Sequence, residues 1–201
     1  MKTIRLIWLY AETVRRSRLQ AEAFCGEEAC RKAARFVRET DQLLSLSGAY
    51  LIRRFVGPPE AIRISPEGKP LAENICFNLS HSGDMAALAL ADVPVGLDLE
   101  QENAQGDGTE EELRAFCLSA EEQASGLPFL DLFVAKEALV KAVGCGLPDD
   151  ITSVPALPVN GRLSYEGQLV YRKSIIRGNR HVSLCLVNSD FSIREERIHA
   201  I

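Results

Sequence analysis

The chain has no C-x-x-C pair, no G-x-x-x-x-G-K-[ST] loop and no hydrophobic run long enough to span a bilayer. Without paired cysteines, and with three histidines distant in sequence from the six cysteines, a zinc site is not expected. The missing glycine-lysine loop removes the phosphate cradle of the nucleoside triphosphatases. The apolar patch Leu6-Ile7-Trp8-Leu9 follows Arg5 and soon meets Arg15-Arg16, so it is too short for a signal core or a membrane span and reads as a first strand. Net positive charge is missing too. A net charge of -5 and a pI near 5.3 argue against duplex nucleic acid as the main partner, because neutralising phosphates needs a basic surface. Neither nucleic acid nor membrane is expected among its partners.

What is present suits a soluble domain of 201 residues, 46% hydrophobic and 25% charged, long enough to bury a real core as one unit or two packed halves. Cys76 and Cys185 fall in strand-like runs, as small core residues do, and no secretory segment is apparent, so a reducing cytoplasm is the expected location. Arginines gather between Arg15 and Arg54 and acids between Asp98 and Glu122. Both read as solvated faces, with a polyanion-binding role open for part of the first set.

Apolar residues recur at helical spacing from Glu27 to about Phe55, with Gly48 as a close-packing point or a break between two helices. A turn at Pro66-Glu67-Gly68-Lys69-Pro70 precedes three strand-like runs, 74–79, 85–91 and 95–100. The polar stretch 101–108 is the expected seam between halves 1–100 and 101–201. Thr109 with Glu112, and Ser119 with Glu122, fit capping boxes, and a helix over 131–143 stops at Gly144. Short strands over 162–165, 169–176 and 181–187 follow. Consecutive short strands leave no room for crossover helices, so the expected class is α+β.

Three segments carry chemistry. Val95-Gly96-Leu97-Asp98-Leu99-Glu100 alternates with period two, sending Leu97 and Leu99 to a core and Asp98 and Glu100 together to the other face. Lys136-Glu137-Ala138-Leu139-Val140-Lys141 has helical spacing, which sets Glu137 and Lys141 one turn apart on one side. Their meeting would suit magnesium holding a phosphate-bearing substrate. Asn78-Leu79-Ser80-His81-Ser82-Gly83 offers hydroxyls and an imidazole at a strand end, where phosphate oxygens would fit. Each segment also has a plain reading: a solvated strand edge, an exposed helix pair, and a hairpin organised by Ser80 and Ser82.

In this order, Phe77 to Gly83, Pro94 to Glu100 and Phe133 to Leu147 closely resemble the signature segments of the 4'-phosphopantetheinyl transferases. The likeness is greatest to the longer, surfactin-synthetase-activating (Sfp) type, and Gly68-Lys69-Pro70 matches a further element. The resemblance implies two similar halves related by pseudo-twofold symmetry, each with antiparallel strands and packed helices, so that a monomer acts as an internal pseudo-dimer. It also implies a holo-[carrier protein] synthase that moves the phosphopantetheine arm of coenzyme A onto a serine of an apo acyl or peptidyl carrier protein, with magnesium, releasing 3',5'-ADP. Fatty acid, polyketide and nonribosomal peptide synthesis all use such carriers. A non-catalytic binder of coenzyme A or a carrier is the alternative.

By the same resemblance Asp98, Glu100 and Glu137 would hold the metal, and Ser80 and His81 would contact coenzyme A phosphates. Gly68, Lys69 and Pro70 would border the adenine, Lys136 and Lys141 would serve the pyrophosphate, and Lys32 would meet the 3'-phosphate. Glu137, or a water it orients, would take the serine proton, with Lys141 steadying the attacked phosphate or the departing oxygen. The chain departs from the family pattern at Leu44, in place of an arginine whose contact could pass to Arg53, and also at Phe133 and Cys145.

Overall fold

The computed structural model describes residues 1–102 and 109–201, so most of the expected 101–108 seam lies outside the described residues. The first strand, β1 (Lys2–Tyr10), sends Ile4, Leu6 and Trp8 to one core and Ile7 and Leu9 to another. A strand covered on both faces reads as a nearly continuous apolar run rather than a clean alternation. Four helices follow, α1 (Ala11–Arg16), α2 (Arg18–Cys25), α3 (Glu27–Ala33) and α4 (Glu39–Phe55). Helix α4 runs unbroken through Gly48, which is a packing point: a Cβ there would lie 2.8 Å from Leu79 Cδ2. The helix break falls at residues 34–38 instead.

A small hairpin of β2 (Arg63–Ile64) and β3 (Pro70–Leu71) leads to β4 (Cys76–Ser82), β5 (Met85–Ala91) and β6 (Val95–Gln101). Helices α5 (Glu110–Cys117) and α6 (Ala120–Ala124) each open with the expected capping box. Helix α7 (Phe129–Val143) ends at Gly144, whose φ of 80° is the left-handed turn that glycine adopts freely. Strands β7 (Arg162–Tyr165), β8 (Gln168–Arg177), β9 (Arg180–Val187) and β10 (Phe191–Arg197) complete the chain.

The fold is α+β in two similar halves, each a four-stranded sheet with a long helix on its outer face. One sheet has the order β10-β1-β5-β4 and the other β6-β9-β8-β7. Helices α1–α4 pack on the first, α7 packs on the second, and the inner faces bury Leu6, Trp8 and Met85 against Leu97, Val182 and Leu184. Sheet membership does not follow chain order across residue 100, since β6 lies in the second sheet and β10 in the first. The ladders of the two large sheets are antiparallel except β1 with β10, which is parallel. Strands from opposite ends of the chain need no hairpin, so nothing in the connection forces them antiparallel.

Candidate functional site

Strands β4 and β6 each lie at one edge of their sheet, and they meet through side chains. Asn78 Oδ1 accepts from the Leu97 N–H at 2.8 Å, Ser80 Oγ from Leu99 at 3.3 Å and Ser82 Oγ from Gln101 at 3.1 Å. Each step advances two residues on both strands, so the period-two alternation of one edge satisfies the backbone of the other. The same hydroxyls donate to the acids of β6, Ser80 to Asp98 Oδ1 at 3.0 Å and Ser82 to Glu100 Oε2 at 2.7 Å.

Helix α7 reaches these acids because Gly96 lets it. A Cβ on Gly96 would fall 1.9 Å from the Ala138 carbonyl and 2.4 Å from the Ala142 nitrogen, so helix backbone rests directly on β6. That contact brings Lys141 Nζ to 2.5 Å from Asp98 Oδ1 and 3.6 Å from Glu137 Oε2. The two distant motifs therefore converge. Asp98 is only 3% exposed, and its Oδ2 is buried with no hydrogen-bond partner among the described residues. Burial pushes both Glu137 and Glu100 above the usual carboxylate range, and Asp98 adds to the effect, against the relief given by Lys141 and, for Glu100, the Ser82 hydroxyl. Crowded carboxylates with a buried, unpaired oxygen fit a hard divalent cation, which takes oxygen ligands and draws off their charge. Among the described residues no three His, Cys, Asp or Glu side chains are already gathered to hold one; the Lys141 ammonium stands between Asp98 and Glu137 instead.

The remaining expected site residues separate. Lys136 is fully buried on the other side of α7, where Nζ lies 2.7 Å from Glu122 Oε2 and donates to the Val154 carbonyl at 2.5 Å and to that of Ile151 at 3.2 Å. The resemblance set Lys136 against the pyrophosphate; here its ammonium is taken up by these partners, away from the β4–β6 seam. Lys69 is half-buried, and its Nζ donates to the carbonyls of Lys141 at 2.5 Å and Ala142 at 3.2 Å. These are orphan acceptors of the last helical turn, so Lys69 caps α7 from the hairpin that carries Gly68 and Pro70. Burial lowers its ammonium below the usual lysine value. His81 alternates with the two serines and so points to the other face of β4, where it is exposed, as Lys32 is in the last turn of α3. Leu44 is core, and Arg53 stacks over the Phe24 ring and donates to the Cys25 carbonyl at 3.5 Å.

Two groups of polar residues escaped the sequence reading. Glu122 is named there only as a capping residue, yet it is the buried partner of Lys136 and also accepts from the Ala156 N–H at 2.8 Å. His181 on β9 sits between Asp131 Oδ1 at 2.6 Å and Glu102 Oε1 at 3.2 Å, directly across the ladder from Glu100. No spacing in the chain links these residues. Only the pairing of β6 with β9 and the seating of α7 bring them together.

Comparison with known proteins agrees with this geometry. The family model described as the 4'-phosphopantetheinyl transferase superfamily matches residues 94–178, which contain β6 and α7. The chain is 32% identical to the 4'-phosphopantetheinyl transferase psf-1 of Bacillus pumilus, over 76% of this chain and 70% of that protein. It is also 32% identical to the 4'-phosphopantetheinyl transferase gsp of Aneurinibacillus migulanus, over 59% of this chain and 56% of the relative. The mouse L-aminoadipate-semialdehyde dehydrogenase-phosphopantetheinyl transferase is 30% identical over 58% of this chain and 47% of its own length. With both motifs meeting at the β4–β6 seam and likeness spread over most of its length, the chain belongs to the 4'-phosphopantetheinyl transferases of the Sfp type.

Proposed function

We propose that this chain transfers the 4'-phosphopantetheine arm of coenzyme A to a serine hydroxyl of an apo acyl or peptidyl carrier protein, releasing 3',5'-ADP. The observation that carries the reading is the buried Oδ2 of Asp98, unpaired among the described residues, beside Lys141 and Glu137. Asp98, Glu100 and Glu137 would hold magnesium, which supplies charge neutralisation at a diphosphate when bound. Lys141, on the half-exposed stripe of α7, would turn its ammonium to the attacked phosphate or the departing oxygen. Glu137 would accept the serine proton, a task suited to a carboxylate held above its usual range. His81, exposed on the face of β4 opposite the serines, would contact a coenzyme A phosphate, and Lys32, with the Gly68-Lys69-Pro70 hairpin, would border the coenzyme.

The division into halves at residue 100 is proposed as a functional one, each half contributing one motif, so that one chain holds the complete site as a monomer. Six free cysteines suit a reducing, cytoplasmic location. Among the described residues no helix is long and apolar enough to cross a membrane.

One assay tests the function. An apo carrier protein mixed with this chain, coenzyme A and magnesium gains the mass of one phosphopantetheine, and does not when a chelator is added. Asp98→Ala keeps the fold and loses transfer. A carrier that is bound but never gains mass would instead support a non-catalytic binder.

A further inference from the structure

We propose that Ser80 and Ser82 are positioning residues for the metal site, each holding one carboxylate of β6 so that its remaining oxygen lone pairs face the cation. The inference rests on the metal reading above and assigns these hydroxyls away from direct contact with coenzyme A phosphates.

A serine hydroxyl has one proton. Ser80 Oγ accepts from the Leu99 N–H at 3.3 Å, and Ser82 Oγ from the Gln101 N–H at 3.1 Å. With that N–H aimed at the oxygen, the hydroxyl proton turns elsewhere, and in both cases it meets the acid one residue earlier on β6, Asp98 at 3.0 Å and Glu100 at 2.7 Å. The same unit thus occurs twice, two residues apart on each strand. Asn78 begins the series by accepting from the Leu97 N–H at 2.8 Å, and its amide sets the register without touching an acid.

The consequence is selective. Asp98 Oδ1 receives both the Ser80 hydroxyl and the Lys141 ammonium, while Oδ2 is buried and unpaired among the described residues. Glu100 is held through Oε2. Ser80 and Ser82 are 8% and 7% exposed, so neither hydroxyl is open to a bulky anion. An edge strand needs acceptors for its N–H groups, and any small polar residue would supply them. Two serines whose protons both land on the carboxylates in question do more than close the seam. Partners that orient ligands in this way are worth about 10–100-fold in metal affinity.

The test uses Mn2+ alone, titrated by calorimetry into the full chain without coenzyme A or carrier. Ser80→Ala and Ser82→Ala are expected to weaken Mn2+ binding by about 10–100-fold, while Ser80→Thr and Ser82→Thr, which keep the hydroxyl, stay close to the parent chain. In the transfer assay the alanine variants need more magnesium for half-maximal rate, with an unchanged KM for coenzyme A. Where an alanine variant unfolds, Ser→Cys at the same position, close in volume and poor as a donor, replaces it and is expected to lose Mn2+ affinity equally. Unchanged Mn2+ binding in these variants overturns the proposal, as does a raised KM for coenzyme A with the magnesium requirement unaltered. Mn2+ binding is read without any carrier. A chain that modifies no carrier, yet whose alanine variants lose Mn2+, therefore supports this inference while overturning the proposed function.

Discussion

Lys141 Nζ lies 2.5 Å from Asp98 Oδ1 and 3.6 Å from Glu137 Oε2, between two of the three carboxylates proposed to share a divalent cation. The ammonium and the metal then compete for one acid. A hydrogen bond to a charged group contributes about 1.5–3 kcal/mol, which corresponds to roughly a ten- to hundredfold change in an equilibrium. Lys141→Met should therefore bind Mn2+ about tenfold tighter or more in the absence of coenzyme A, while phosphopantetheine transfer falls by about 10²-fold or more for want of the cation proposed to stabilise the reacting phosphate. Calorimetric titration and carrier mass measured on one preparation check both. A variant that binds Mn2+ no tighter than the parent shows that the lysine does not stand in for the metal.

Gly96 is the point on which the convergence of motifs depends. The atoms that its Cβ would strike are helix backbone, at 1.9 and 2.4 Å, and cannot rotate aside as a side chain could. Gly96→Ala should force α7 off β6, at an overpacking cost of about 1–3 kcal/mol or more. Because Glu137 and Lys141 ride on that helix, transfer should fall further than the loss of stability explains. Urea unfolding and the carrier assay, run well below the melting midpoint, separate the two losses. Normal turnover in a folded variant would show that the helix seat is not required.

Local alternation and caps were legible in this chain because they depend on neighbours in sequence. Asp98 and Glu100 share a face by period two, Glu137 and Lys141 by helical spacing, and both capping boxes form. The short arginine-rich helices between Ala11 and Cys25 gave little signal. Tyr10 and Ser17 begin them without a side-chain cap, and their buried residues are few. Strand β10 was missed because Ile193-Arg194-Glu195-Glu196 is too polar for a core pattern; it is an edge strand, held by pairing with β1 and by Glu196 on Arg5. Lys69 on the end of α7 and Lys136 on Glu122 are long-range partnerships that no spacing in the sequence announces.

Whether Lys136 serves the fold or the substrate can be checked directly at its pair with Glu122. Both side chains are almost wholly buried, at 0% and 4% exposure. Removing one partner of such a pair strands the other charge in a low dielectric, at about 3–5 kcal/mol. Lys136→Met should lower the stability by that order, seen as an earlier urea midpoint with little change in slope. At a temperature where the variant is folded, its KM for coenzyme A should match the parent. A large rise in KM with stability intact would return Lys136 to the pyrophosphate.

His181 makes stability depend on pH in a definite sense. Burial works against its charged form, but the hydrogen bonds that it donates to Asp131 and Glu102 outweigh it, so the imidazole is held above its ordinary 6.5. Glu100 lies across the ladder from His181, and Arg172 donates through its guanidinium to the Asp131 backbone carbonyl at 3.0 Å, leaving the Asp131 carboxylate to the imidazole. A group whose value is raised on folding favours the native state when protonated. The contribution is fully present below pH 6.5, the unfolded value, and is lost as pH rises through the higher native value. The melting midpoint should therefore decline as pH rises above 6.5, and His181→Gln, which keeps a donor but cannot take up charge, should flatten that decline. If the parent and the variant melt in parallel across this range, the histidine is held by its neighbours without titrating between them.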